Sequence, residues 1–98
     1  MPGLYYEDIE VGFKYSTAAR TVFESDVGMF VAVAGLYEDL FCNIEYIKNQ
    51  SVFKKRFAPG ALTWAIAQGL TTRTGLYEET FLAILGVNNM RLVAPVYV

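Results

Sequence analysis

The chain has 98 residues, of which 54% are hydrophobic and 18% are charged, and its formal net charge is −2. This length fits one small domain, near the lower limit for burying a useful core. The slightly acidic balance argues against a nucleic acid or an anionic membrane as a partner. So high an apolar content predicts association with a second copy or with a partner subunit, because one small core cannot hide all of it.

Histidine is absent and cysteine occurs once, as Cys42. Ser-His-Asp and Cys-His nucleophiles, Asp-His water activators and His-containing zinc sites are therefore excluded within this chain. One cysteine cannot build an all-cysteine metal site, so we expect neither a metal nor a cofactor. With no base nearby to lower its pKa, Cys42 is expected to be a buried structural thiol rather than a nucleophile.

The sequence also predicts the cellular compartment of the protein. The longest apolar run, residues 27–37, contains two glycines, and it is well short of the about 20 residues that cross a bilayer. No basic segment precedes an apolar stretch at the start, so we expect no signal peptide. A single cysteine cannot form an internal disulfide, which fits a reducing compartment. We therefore expect a soluble, cytoplasmic protein.

The first half of the chain predicts an irregular lead-in, a strand and two helices. Threonine, tyrosine and valine alternate partly with polar residues over 13–22, which is typical of a half-exposed strand. A helix is expected to begin at Ser25-Asp26, where Asp26 meets the positive end of the helix dipole, and to end at Gly35. A short helix is expected over Asn43–Asn49, with Ile44 and Ile47 facing inward. The helical spacing of the longer helix is carried by Val27, Phe30, Val31 and Ala34.

The second half predicts a buried helix and then extended segments. Pro59-Gly60 opens a nearly uncharged helix over Ala61–Leu70, and a helix that is apolar all round is normally wrapped by other structure. Within it, Trp64 is expected to lie in the core or at a dimer contact. A polar exit over residues 71–79 leads to an apolar strand over Phe81–Val87. Residues 90–98 are expected to be extended, with Pro95 at an edge or turn.

Several short segments, in this order and at this spacing, resemble the MaoC-like dehydratases, or (R)-specific enoyl-CoA hydratases. No single segment is specific for the family, but the similarity runs over nearly all of the chain. The matching segments are Leu4-Tyr5-Tyr6-Glu7-Asp8 with Val11-Gly12, Ala34-Gly35, Gly60-Ala61-Leu62-Thr63, Gln68-Gly69-Leu70, Thr72-Arg73-Thr74-Gly75-Leu76-Tyr77-Glu78 with Phe81-Leu82-Ala83, and Arg91 with Ala94-Pro95-Val96.

The resemblance implies an α+β hot-dog fold, in which an antiparallel sheet wraps around a long central helix. Without the resemblance, the order of the elements predicts only an α+β domain with one enclosed helix. We expect residues 1–98 to form a single MaoC-like domain that lacks the family's last strands. On that expectation the chain is a truncated product, a split subunit or an engineered fragment.

The resemblance also implies which positions carried the chemistry. In the family, a Gly-Asp-x-Asn-Pro-Leu-His segment activates water for addition to a trans-2-enoyl thioester, and a later His-Gly opens the buried helix. Gly35 matches the first glycine, but Leu36 and Phe41 occupy the positions of the catalytic Asp and His. Pro59 replaces the second histidine, while Gly60 is retained. Loss of three polar positions indicates apolar refilling of the cleft, which relieves a desolvation cost.

Three groups of residues are the remaining candidates for a site. The backbone amides of Gly60 and Ala61 are expected to bind a thioester oxygen, since that site needs no side chain. The basic run of the loop is a candidate for the phosphates of coenzyme A, and the acidic pair is expected to be solvated rather than catalytic. The basic run is Lys54, Lys55 and Arg56, and the acidic pair is Glu38 and Asp39.

Three hypotheses of function remain open. In the first, the chain is a catalytically silent member of the family that binds a partner subunit and an acyl-CoA thioester. In the second, it is an active (R)-specific hydratase or dehydratase whose Asp-His pair is supplied by a complementary protomer. In the third, it is a structural or engineered hot-dog fragment without a ligand. All three predict a homo-oligomer or hetero-oligomer.

Overall fold

The computed structural model describes residues 3–98, and helices are the regular structure found there. A 3-10 helix over Tyr6–Asp8 comes first. The α-helices are α1 (Glu24–Ala34), α2 (Asp39–Cys42), α3 (Ile44–Asn49) and α4 (Gly60–Arg73).

The predicted antiparallel sheet is not found within residues 3–98. The backbone pairing seen there is one isolated antiparallel bridge between Phe57 and Tyr97. Neither residues 13–22 nor residues 81–87 form a strand. Between Leu82 and Pro95, no backbone N–H or C=O group bonds to another described residue. The α+β hot-dog prediction is therefore wrong for the described chain. Side-chain alternation marks a segment that can pair, but a strand forms only where a neighbour supplies its donors and acceptors.

The prediction that α4 is a wrapped central helix is also wrong. Leu62 is the buried residue of this helix, and Trp64 is only half-buried. The small residues Ala61, Ala65 and Gly69, which recur at every fourth position, are exposed. The helix itself runs to Arg73, three residues beyond the predicted Leu70. Its apolar composition is consistent with burial, but the described residues supply no sheet to cover it.

The chain forms two compact units, and one of the three boundaries between them along the sequence lies inside α4. The first unit is the segment up to Ala19 together with Ala65–Arg91, and the second is Arg20–Trp64 together with Leu92–Val98. The expectation of a single domain stays a prediction.

In the first unit, the start of the described chain is bound to the turn after α4. The Gly3 and Leu4 amides donate to the carbonyl oxygens of Glu78 and Leu76, each at 2.6 Å, and the Thr80 hydroxyl donates to the Leu4 carbonyl at 2.8 Å. Gly3 lies so close to this turn that a Cβ there would be 2.5 Å from the Glu78 nitrogen. This contact therefore requires glycine.

The core of the second unit is small and is built from α1, α3 and the start of α4. Its most completely buried side chains are Val27 and Ile47, both 0% exposed. The start predicted for α1 is confirmed within two residues, with Asp26 in the first turn. Its end is confirmed at Gly35, whose φ of 73° lies in the left-handed region that glycine adopts at low cost.

The prediction of the short helix α3 is confirmed, and one of the two residues predicted to face inward is buried. The Asn43 side chain accepts a hydrogen bond from the Tyr46 amide at 3.2 Å and so caps the helix. Ile47 is buried as predicted, but Ile44 is exposed and that part of the prediction is wrong. Ile44 is the first residue of the helix.

Candidate functional site

Phe41, which we predict to stand at the position of the family's catalytic histidine, belongs to a cluster of aromatic rings. Phe41 lies in α2, and its ring meets the ring of Phe57 at 5.8 Å between centroids with an interplanar angle of 63°. The ring of Phe53 also contacts Phe57, with their centroids 4.5 Å apart and an interplanar angle of 51°. Such tilted and edge-on contacts are favourable beyond the apolar area that they bury. We call Phe41, Phe53 and Phe57 the phenylalanine cluster.

The other replaced position, Leu36, follows the left-handed Gly35 and is half-buried. Its carbonyl oxygen accepts the Glu38 amide at 3.0 Å and the Cys42 thiol at 3.7 Å. Cys42 is exposed, so the expectation of a buried thiol is wrong.

The predicted acidic pair lies at the start of α2. Glu38 and Asp39 are both exposed. The Glu38 carbonyl accepts the amides of Phe41 and Cys42, each at 2.9 Å, so this residue closes the first turn of the helix with its backbone. The exposure of both carboxylates agrees with the expectation of solvated side chains.

The start of α4 presents backbone donors. The N–H groups of Gly60, Ala61 and Leu62 donate to no described residue, as expected for the first turn of a helix. Pro59, before the helix, is buried, and its carbonyl accepts the Thr63 amide at 3.1 Å. The side chain of Leu92 lies directly against Gly60, where an added Cβ would overlap its Cδ1. A larger residue at the first position of this helix would require the exposed Leu92 side chain to move.

The three predicted cations are not brought together. Lys54, which has a φ of 60°, donates through Nζ to the Asn49 carbonyl at 3.1 Å. Lys55 Nζ lies 5.3 Å from the ring centroid of Tyr97. Arg56 Nε lies 3.2 Å from Glu24 Oε1. Consecutive residues in non-helical backbone point in different directions, so adjacency in sequence did not make one cationic patch.

Two contacts in this region could not be predicted from the sequence, because no local motif marks the residues that form them. Glu24 is 32 positions from Arg56, and Leu92 is 32 positions from Gly60. Only the fold of the second unit makes either pair. The phenylalanine cluster has a weak signal, since three phenylalanines occur between residues 41 and 57.

Two kinds of feature are not found within residues 3–98. No group of three or more His, Cys, Asp or Glu side chains there could hold a metal ion. None of the described helices has the length and apolar character needed to cross a bilayer.

Two known proteins are similar to the chain. It is 28% identical over 93 residues to the protein MaoC of Klebsiella aerogenes, which is 94% of this chain and 27% of that protein. It matches an X-ray structure of a monoamine oxidase regulatory protein from Archaeoglobus fulgius with a TM-score of 0.86 and 28% sequence identity, over 99% of this chain and 65% of that one. Both similarities support the MaoC family. No protein-family model matches the sequence.

The MaoC similarity covers nearly the whole chain, so the segment from α1 to α4 lies within it. The chain spans about a quarter of the length of MaoC and just under two thirds of the solved structure. Both proteins therefore contain sequence with no counterpart here.

Proposed function

We propose that the chain is a MaoC-family subunit that binds an acyl thioester and is catalytically silent on its own. The observation that carries this proposal is the packing of Phe41 in the phenylalanine cluster, in a chain without histidine. Hydration of an enoyl thioester requires a base that removes a proton from water, and general base catalysis typically contributes about 10²–10⁴-fold. Neither Phe41 nor Leu36 can provide it.

The binding half of the proposal rests on the start of α4. The free amides of Gly60 and Ala61 lie at the positive end of a 14-residue helix, where an oxygen with partial negative charge is stabilised. These donors belong to the backbone, so replacement of the Asp and His side chains leaves them in place. Leu92, packed against Gly60, gives this end of the helix an apolar wall on one side.

A second candidate function is an active hydratase or dehydratase in which a partner protomer supplies the Asp-His pair. This alternative requires an assembly, as the first proposal does, and the exposure of large apolar side chains supports one. Leu82 is 95% exposed and Leu85 is 101% exposed, and such surface is normally covered in an assembly. The assembly in either case is a homo-oligomer or a hetero-oligomer.

Calorimetric titration with butyryl-CoA and with S-butyl-CoA tests the binding proposal. The two ligands share the alkyl chain and all phosphates, but the thioether lacks the carbonyl oxygen. We expect butyryl-CoA to bind about fivefold more tightly, the effect of about one hydrogen bond. Equal affinities would contradict recognition of the carbonyl, and no binding of either ligand would contradict the proposed function.

A further inference from the structure

One buried polar atom of the second unit lacks a hydrogen bond. Within residues 3–98, Arg56 Nε is the buried side-chain nitrogen or oxygen that has no hydrogen-bonding partner. The Arg56 side chain as a whole is only 17% exposed. Leaving a buried guanidinium N–H without an acceptor is costly, and a water or another oxygen acceptor from outside the described residues would remove that cost.

Glu24 lies beside this arginine but does not satisfy it. Its Oε1 is 3.2 Å from Arg56 Nε, yet the N–H does not point at that oxygen, and the two form an ion pair without a hydrogen bond. The Glu24 side chain is 66% exposed. Ion pairs that water reaches contribute little stability. A better-aligned oxyanion can therefore displace this carboxylate.

The backbone holds the arginine in place. The Arg56 carbonyl accepts the Val98 amide at 3.2 Å, and the Ala58 amide donates to the Val96 carbonyl at 2.8 Å. The side-chain contact found for Arg56 among the described residues is the Nε–Glu24 ion pair, and its two terminal nitrogens donate to none of them. The arginine thus combines a fixed, largely buried stem with free donors. Lys54 and Lys55 differ, since each ammonium already has a partner.

We propose that Arg56 binds an oxyanion of the ligand, and that Glu24 is the internal carboxylate which this oxyanion displaces. The planar guanidinium suits the two oxygens of a carboxylate or a phosphate, which it binds through parallel hydrogen bonds. The proposal deepens the proposed function by selecting Arg56 alone from the three cations. The assignment of the oxyanion to an acyl thioester rests on the proposed function. The ability of Arg56 to bind an oxyanion is independent of it.

Inorganic phosphate is the probe that tests Arg56 independently of any thioester. The Arg56 Nε–H resonance is followed by NMR while phosphate is added, with chloride at equal ionic strength as the control. We expect a saturable shift with phosphate and none with chloride. Glu24→Gln should lower the phosphate concentration at half-saturation by a factor of about three, because the competing charge is gone. A resonance that responds equally to both salts would overturn the proposal.

Three acyl thioesters, butyryl-CoA, succinyl-CoA and butyryl-pantetheine, identify the source of the oxyanion. Arg56→Lys keeps the charge but loses the planar fork, and circular dichroism checks that it is folded. If the oxyanion is a phosphate, this variant should bind butyryl-CoA about tenfold more weakly and bind butyryl-pantetheine as the parent does. If it is a carboxylate of the acyl group, the loss should appear with succinyl-CoA and not with butyryl-CoA.

Lys54→Gln and Lys55→Gln are the matched controls, and each should change affinity less than twofold. An Arg56→Lys protein that binds all three ligands like the parent would overturn the proposal, as would losses in the lysine variants that equal its own. Failure of the proposed function looks different, because the phosphate response of Arg56 would persist while butyryl-CoA and S-butyl-CoA bound equally or not at all.

Discussion

The ring of Phe41 meets the ring of Phe57 edge-on, with centroids 5.8 Å apart and an interplanar angle of 63°. Phe41 stands where the resemblance to MaoC-like dehydratases implies a catalytic histidine. An imidazole at this position would exchange an apolar ring contact for a polar group among phenylalanines. If the resemblance places this position correctly, we expect phenylalanine here to remove a base and to stabilise the second unit.

Restoring the pair is expected to destabilise the protein. Leu36→Asp with Phe41→His should lower the free energy of unfolding by about 2–5 kcal/mol, because it removes packed apolar groups and buries polar ones. Urea unfolding measures this loss. Tyr37→His is the matched control, since Tyr37 is 72% exposed, and its effect should stay within about 0.5 kcal/mol.

A crystal structure of the same double variant tests the alignment through Gly35. We expect the introduced carboxylate and imidazole to face one cleft. If they point into different regions, positions 36 and 41 are not those of the Asp-His pair.

Asp26 should make stability depend on pH in the acid range. The Phe23 amide and the Arg20 guanidinium donate to its Oδ2 at 2.8 and 2.5 Å, and they hold the pKa of this carboxyl below its usual value. The carboxylate therefore stabilises the folded state above the ordinary aspartate pKa of about 3.9, and this contribution is lost as the pH falls through the lowered folded pKa.

Urea unfolding of Asp26→Asn across pH tests this linkage. The variant should be less stable than the parent at neutral pH, and the difference should shrink at acid pH. Arg20→Gln should have a smaller effect, because the Phe23 hydrogen bond remains. A difference between parent and Asp26→Asn that does not change with pH would contradict the assignment.

Substitution of two glycines by alanine should change the free energy of unfolding in opposite directions. Gly3→Ala places a Cβ against Leu76 and Glu78 and should cost about 1–3 kcal/mol. Gly69→Ala meets no atom within 4 Å inside α4, and it should stabilise by about 0.5–1 kcal/mol. Thermal unfolding of both variants measures the effects, and loss of stability in both would show that open space at Gly69 is not the deciding factor.

The protein is expected to form a dimer or a larger assembly, with residues of Phe81–Val87 and Ala61–Leu70 at or near the contact. Leu85→Lys should weaken it, because Leu85 is 101% exposed in a segment whose backbone is unpaired. Val11→Lys, at a residue 108% exposed outside those segments, is the control and should leave it unchanged. Light scattering over a dilution series measures association. A folded monomer at micromolar concentration would contradict the prediction.

The helices were predictable from the sequence because their signals are local. Asp26 and Gly35 set the two ends of α1 within a few residues, and Pro59-Gly60 set the start of α4. The strands were not, because an apolar run such as Phe81–Val87 becomes a strand only through the backbone of a neighbour. The described chain provides none for that segment.

The candidate site was predictable only in part, for a similar reason. Phe41 and Gly60 were identified from their place in a motif. Glu24 beside Arg56 and Leu92 against Gly60 depend on contacts between distant segments, which no local pattern encodes.

Hydration of crotonyl-CoA by the purified chain alone, in protein shown to be free of host hydratase, tests the central claim most directly. The account predicts a rate indistinguishable from background, because the chain has no histidine and Leu36 and Phe41 cannot activate water. Turnover comparable to that of an active hydratase would contradict it.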